Sequence, residues 1–114
     1  MLGTLRFATG LSLILAALGA RAADTVVVAP ELWDRPRSGR IVLDQPAVKQ
    51  AVNACLGQPG ARLIIHHAAR QESLLHAEEL RAWLVALAVE AERIALRGSL
   101  QAGEPLKIEV ITPQ

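Results

Sequence analysis

Arg62-Leu-Ile-Ile-His-His67, followed after five residues by Ser73-Leu-Leu-His-Ala-Glu-Glu-Leu-Arg-Ala-Trp-Leu-Val-Ala-Leu-Ala88, is the stretch that decides the fold. The first run is short, apolar and β-branched at its centre. Gly57-Gln-Pro-Gly60 closes it off on the N-terminal side, so it reads as a strand. In the second run, Ala77, Leu80, Leu84 and Leu87 recur at steps of three and four and line one face of a helix with apolar side chains. Ser73 stands where an N-cap is expected. The apolar stripe has to pack on the sheet, whereas Glu78, Glu79 and Arg81 lie off it and are expected on the solvated side.

Working upstream, Asp44 with Pro46 reads as a helix start, an acidic cap region followed by proline in the first turn. The helix is predicted to run to Leu56 and to stop at a C-cap glycine, Gly57, backed by Pro59. Arg40-Ile-Val-Leu43 before it reads as a strand, which would give strand, helix and strand in one parallel crossover unit. Thr25-Val-Val-Val-Ala29, broken by Pro30, is a short strand or extended arm, and Asp34-Arg-Pro-Arg-Ser-Gly39 is turn chemistry with Arg35, Arg37 and Arg40 solvated. Downstream, Arg93-Ile-Ala-Leu-Arg97 reads as a third strand, Gly98 to Pro105 as a loop, and Leu106-Lys-Ile-Glu-Val-Ile111 as a closing strand. The predicted order is β-α-β-α-β-β, an α/β two-layer domain with helices packed on one face of a mixed sheet.

The N-terminus carries a different signal. After Arg6, an uncharged apolar run from Phe7 to Ala20 leads to Ala20-Arg21-Ala22. This is shorter than the about 20 apolar residues of a membrane helix and ends in a small-x-small site, so residues 1–22 read as a cleavable export signal. The other reading is an uncut N-terminal anchor. Cleavage after Ala22 would place the protein in the periplasm without a membrane span, with residues 23–38 as an arm or short strand and 39–114 as the α/β domain.

Removing Arg6 and Arg21 brings the 12 basic residues of the chain into near balance with its 11 acidic ones. That balance gives no electrostatic reason to expect nucleic acid or anionic lipid as a partner. The lone Cys55 cannot form an internal disulfide and, among Val52, Ala54 and Leu56, reads as a small core residue. His66, His67 and His76 with Glu72 are the residues from which a metal site would have to be built. Adjacent strand residues point to opposite faces, so no metal or other cofactor is expected. Ser73 with His76 lacks an acid and an oxyanion hole, and no other nucleophile motif stands out, so no catalytic residue is assigned and an enzyme is not expected. Trp33 and Trp83 read as packing residues rather than sugar platforms.

Leu63-Ile-Ile-His-His67, Ser73-Leu-Leu-His-Ala77, Leu84, Val89, Arg93-Ile-Ala-Leu-Arg-Gly98 and Glu104-Pro105 together resemble the OmpA-like, peptidoglycan-associated domain family over residues 39–112. The resemblance implies an envelope module whose ligand is the peptidoglycan stem peptide, clamped by an aspartate after the second strand and an arginine opening the second helix. Here the aspartate region reads His67-Ala-Ala-Arg70 and the arginine position reads His76. A neutral histidine cannot offer a bidentate fork and alanine offers no charge. His67, Arg70 and His76 are therefore the candidate ligand-binding residues of a degenerate peptidoglycan site. The expected role is non-enzymatic: an accessory or protein-interaction module whose partner is a cell-envelope protein, or alternatively a peptidoglycan-binding domain with a rebuilt site.

Overall fold

The strand quoted first sits where its apolar run requires, in the middle of the sheet. The computed structural model describes residues 22–113. Strand β1 spans Ala22–Val27, a 3-10 turn Pro30–Asp34, helix α1 Gly39–Leu43, helix α2 Pro46–Gly57, strand β2 Arg62–Ala68 and helix α3 Gln71–Ala86. A 3-10 turn at Ala91–Arg93, strand β3 Ile94–Leu100 and strand β4 Lys107–Thr112 complete the order. Apart from Ala22, the export signal read at residues 1–22 lies outside the described residues.

The four strands form one mixed sheet in the order β1-β4-β2-β3. β3 runs parallel to β2, joined through α3, and β4 runs antiparallel to both β1 and β2. The helices cover one face, with α2 against β4 and α3 against β2. Leu63, Ile65, Ile108, Val110 and Ile94 are buried among Val48, Ala51, Val52, Ala77, Leu80 and Leu84. Strand alternation puts Arg62, Ile64, His66, Lys107, Glu109, Arg97 and Ser99 on the other face. The fold is thus the expected two-layer α/β sandwich.

Several local expectations are corrected. Residues 40–43, read as a strand, form helix α1. Ser38 is extended and its Oγ accepts from the Ile41 N–H at 3.2 Å, which caps the helix and outweighs the strand preference of Ile41 and Val42. The first sheet position belongs instead to β1, paired with β4 from Ala22↔Thr112 to Val27↔Lys107. The parallel crossover unit is accordingly β2-α3-β3 rather than one built on residues 40–67. Ser73 is not the N-cap of α3, because that helix starts at Gln71 behind an extended Arg70. The Ser73 hydroxyl accepts from the Ala68 N–H at 2.8 Å and ties the helix to the end of β2. Gly57 is the last residue of α2 and has no positive φ, so the stop comes from extended Gln58 and from Pro59, which cannot donate. Strand β3 continues through Gly98 to Leu100, which shortens the expected loop.

The other end of α3 shows which residues want to be glycine. Val89 N–H donates to Leu84 O at 3.0 Å and Ala88 N–H to Val85 O at 3.1 Å, a Schellman closure in which Ala88 takes φ 81°. An alanine held in the left-handed region costs about 1 kcal/mol. Arg93 lies just before β3 and turns back into the protein. Its Nε donates to Ala61 O at 3.0 Å, and its Nη2 donates to Cys55 O at 3.1 Å and Gln58 O at 2.7 Å. These include carbonyls that the C-terminus of α2 leaves without helical donors, and a cation there also suits the helix dipole. Cys55 is buried beside this site and burial pushes its thiol upward, as befits a core residue.

Arg93→Met keeps most of the buried volume but removes the guanidinium donors from these carbonyls. It is expected to lower stability by about 3 kcal/mol in denaturant unfolding. Ala88→Gly relieves the left-handed strain at an exposed position and is expected to raise stability by about 0.5–1 kcal/mol, read as a higher thermal midpoint.

Candidate functional site

Where β2 ends, its side-by-side register with β3 breaks between His66 and Ala68, and the chain turns sharply into α3. At this end of β2 a cleft of about 430 Å³ lies between three segments. One wall is the 3-10 turn carrying Trp33 and Asp34. The floor is Ala68 with Arg70, Glu72, Ser73 and His76 from the start of α3. The third side is Gly103 to Leu106, the loop into β4. Gly103 takes φ 90° in that loop, a conformation few other residues adopt readily.

The Trp33 wall is held against α3 by a network that sequence spacing does not announce. The Trp33 and His76 rings stack with centroids 4.4 Å apart and planes 4° from parallel. The Arg37 guanidinium lies 5.3 Å from the Trp33 ring centroid, within cation–π range. Arg37 Nη2 donates to Glu79 Oε1 at 3.1 Å and its Nε donates to the second oxygen of the same carboxylate. Arg37 also donates to the Trp33 and Arg35 carbonyls, at 3.3 and 2.9 Å. Trp83 Nε1 completes the ring of donors on Glu79 at 3.1 Å. The expectation that Glu79 and Arg37 are solvated is therefore corrected. The two side chains join the segment after β1 to α3, and both are partly shielded. The hydrogen bond from Arg37 holds the Glu79 carboxyl below its ordinary range against the opposing effect of burial.

Of the three residues expected to bind ligand, Arg70 and His76 line the cleft. His67 does not. Its Nδ1 donates to Ala68 O at 2.8 Å and its ring covers Gly98, where an added Cβ would stand 3.3 Å from His67 Cε1. Asp34, Glu104 and Trp33 line the cleft without having been singled out as ligand residues. Nothing local marks them, since Trp33 meets His76 across 43 positions of sequence. Glu104 is already engaged, accepting from Gln101 N–H at 2.6 Å and lying 3.6 Å from Lys107 Nζ. Ser73 is tied to Ala68 and His76 is stacked on Trp33, so these two do not form a nucleophile and base. Among the described residues no three His, Cys, Asp or Glu side chains are placed to hold a metal ion. The cleft can hold a small polar group between the Arg70 guanidinium and the carboxylates of Asp34 and Glu72.

Compared with protein-family models, with curated proteins and with solved structures, the chain matches none.

The depressed Glu79 carboxyl carries a pH signature. With the folded value below the ordinary 4.5, the stabilisation is complete above that value and is lost as pH falls through the folded one. Thermal midpoints taken downward from about pH 5 are expected to drop more steeply for the native chain than for Glu79→Gln. At neutral pH the variant should melt lower, because Arg37 and Trp83 lose their shared charged acceptor.

Proposed function

We propose that this chain is a periplasmic, OmpA-like module of the cell envelope that acts as an accessory protein, using the cleft at the end of β2 to hold a polar segment of an envelope protein. The cleft holds its ligand rather than turning it over. What carries the reading is the state of the residue at the arginine position of the resemblance. His76 is stacked on Trp33, and the nearby Arg37 is engaged by Glu79, so neither offers a guanidinium fork to a stem-peptide carboxylate. Arg70 is the one guanidinium lining the cleft among the described residues, and it shares the lining with the carboxylates of Asp34, Glu72 and Glu104. A cleft with that balance suits a segment carrying both signs of charge.

One observation favours the second reading, a peptidoglycan-binding domain with a rebuilt site. Arg70 and Glu72 flank the start of α3 and could together take over the clamp of a zwitterionic group.

Sedimentation of the purified protein with insoluble peptidoglycan separates the two readings. The accessory reading expects no retention above an unrelated protein. It also expects a photo-crosslinker placed at Asp34 to capture one envelope protein, with capture lost in Arg70→Glu. Retention on peptidoglycan that falls at least tenfold in Arg70→Ala would replace it with the rebuilt-site reading.

A further inference from the structure

The face of the sheet that the helices leave open carries a second constellation, built from three residues far apart in sequence. His66 projects from the middle of β2. Its Nε2 lies 2.8 Å from Glu109 Oε1 on β4, and its Nδ1 lies 2.5 Å from Ser99 Oγ on β3. The proton positions follow from what each partner can do. A carboxylate only accepts, so in the neutral ring Nε2 carries the hydrogen and donates it to Glu109. That leaves the lone pair on Nδ1 to accept the Ser99 hydroxyl proton. The result is a hydroxyl bonded to a basic nitrogen whose tautomer and ring orientation are set by a buttressing carboxylate, the same division of roles that activates serine nucleophiles, with the two ring nitrogens exchanged.

Its setting explains why these groups meet and what can reach them. Ladder pairing lapses between His66↔Arg97 and Ala68↔Leu100, so Gly98 and Ser99 stand out of register and Ser99 comes to lie against His66. The imidazole and the carboxylate are mostly shielded, with side-chain exposures of 16% and 24%, while Ser99 is exposed on an edge strand. Arg97 and Lys107 are the register partners of His66 on either side and share its face. Arg97 is exposed on that face and brings a positive charge to the neighbourhood of Ser99, whereas the Lys107 ammonium is turned to Glu104 at 3.6 Å.

We propose that Ser99 is a nucleophile, with His66 as its base and Glu109 as the residue that positions the base, and that it accepts the acyl group of an activated carboxylic ester. Ser99 Oγ attacks the ester carbonyl carbon while its proton passes to His66 Nδ1, giving an imidazolium held by Glu109. The tetrahedral adduct then collapses, the C–O bond to the leaving alkoxide breaks, and the Nδ1 proton goes to that oxygen. The products are an alcohol and an acyl-Ser99; water, giving a proton to His66 Nδ1, then attacks the acyl carbon, the bond to Ser99 Oγ breaks as Oγ takes that proton back, and the acyl group leaves as a carboxylic acid. This site is separate from the cleft and does not depend on its ligand.

The test is labelling of the full chain with a fluorophosphonate probe, with the modified residue located by peptide mass mapping. The folded protein is expected to carry the label on Ser99 and to lose it in Ser99→Ala. His66→Gln and Glu109→Gln, checked for native circular dichroism, are expected to slow labelling, the former by about 100-fold or more. Wild-type chain in denaturing urea should not label, which keeps the test decisive even where a variant unfolds. Absence of label on Ser99 in the folded wild type, an equal rate in the denatured chain, or an unchanged rate in a folded His66→Gln would overturn the proposal.

Discussion

Arg93 is the constraint on which the rest of the arrangement depends. Its guanidinium takes carbonyls from the last turn of α2, from Gln58 and from Ala61, the residue that leads into β2. One side chain at the start of β3 thereby fixes the end of α2, the turn after it and the entry of the neighbouring strand. A charge this deeply placed persists because its donors meet three backbone carbonyls and because Glu90 lies 3.6 Å away at the rim. The parallel register of β2 and β3 starts immediately beyond it at Leu63↔Ile94. With that register set, the place where it fails, between His66 and Ala68, is set as well. The cleft lies at the end of β2, and on the other face of the sheet Ser99 meets His66 at the lapse.

The elements that were legible in the sequence are those whose cause is local. The period of Ala77, Leu80 and Leu84 named the buried face of α3, and Pro46 and Pro59 bracketed α2. The β-branched runs at 63–65 and 108–111 named two strands. Residues 40–43 misled because Ile41 and Val42 carry a strand preference, while the deciding facts are a capping serine and a sheet position already filled by residues 22–27. Two candidate regions of the strand-helix-strand pattern competed for one place beside β4, and only the tertiary pairing chooses between them.

The candidate site was half legible for the same reason. Arg70 and His76 lie within a few residues of the β2–α3 junction, so their nearness to the end of the strand follows from chain connectivity. The groups that shape the cleft around them arrive from the 3-10 turn and the β3–β4 loop, and no spacing rule links Trp33 to His76 or Arg37 to Glu79. Glu79 shows how far a single long-range partner can move a residue from its sequence reading. It lies off the apolar stripe, as expected, yet three donor nitrogens from Arg37 and Trp83 converge on its two oxygens.

The two faces of the sheet divide the labour of the chain. On the helix side, apolar residues of β2 and β4 are sealed under α2 and α3, and polar groups enter at the Arg93 site and at the cleft. Among the described residues no helix covers the other face, and its polar residues satisfy one another instead: Glu109 and Ser99 both turn to His66. A histidine at the centre of a sheet face needs partners for both ring nitrogens when it is this shielded, and a carboxylate on one neighbour with a hydroxyl on the other meets that need with a single tautomer. The arrangement that satisfies His66 structurally is also the one that leaves a lone pair on Nδ1 facing the serine. Stability and reactivity at this position therefore share a cause, and a substitution at Glu109 acts on both through the same hydrogen bond.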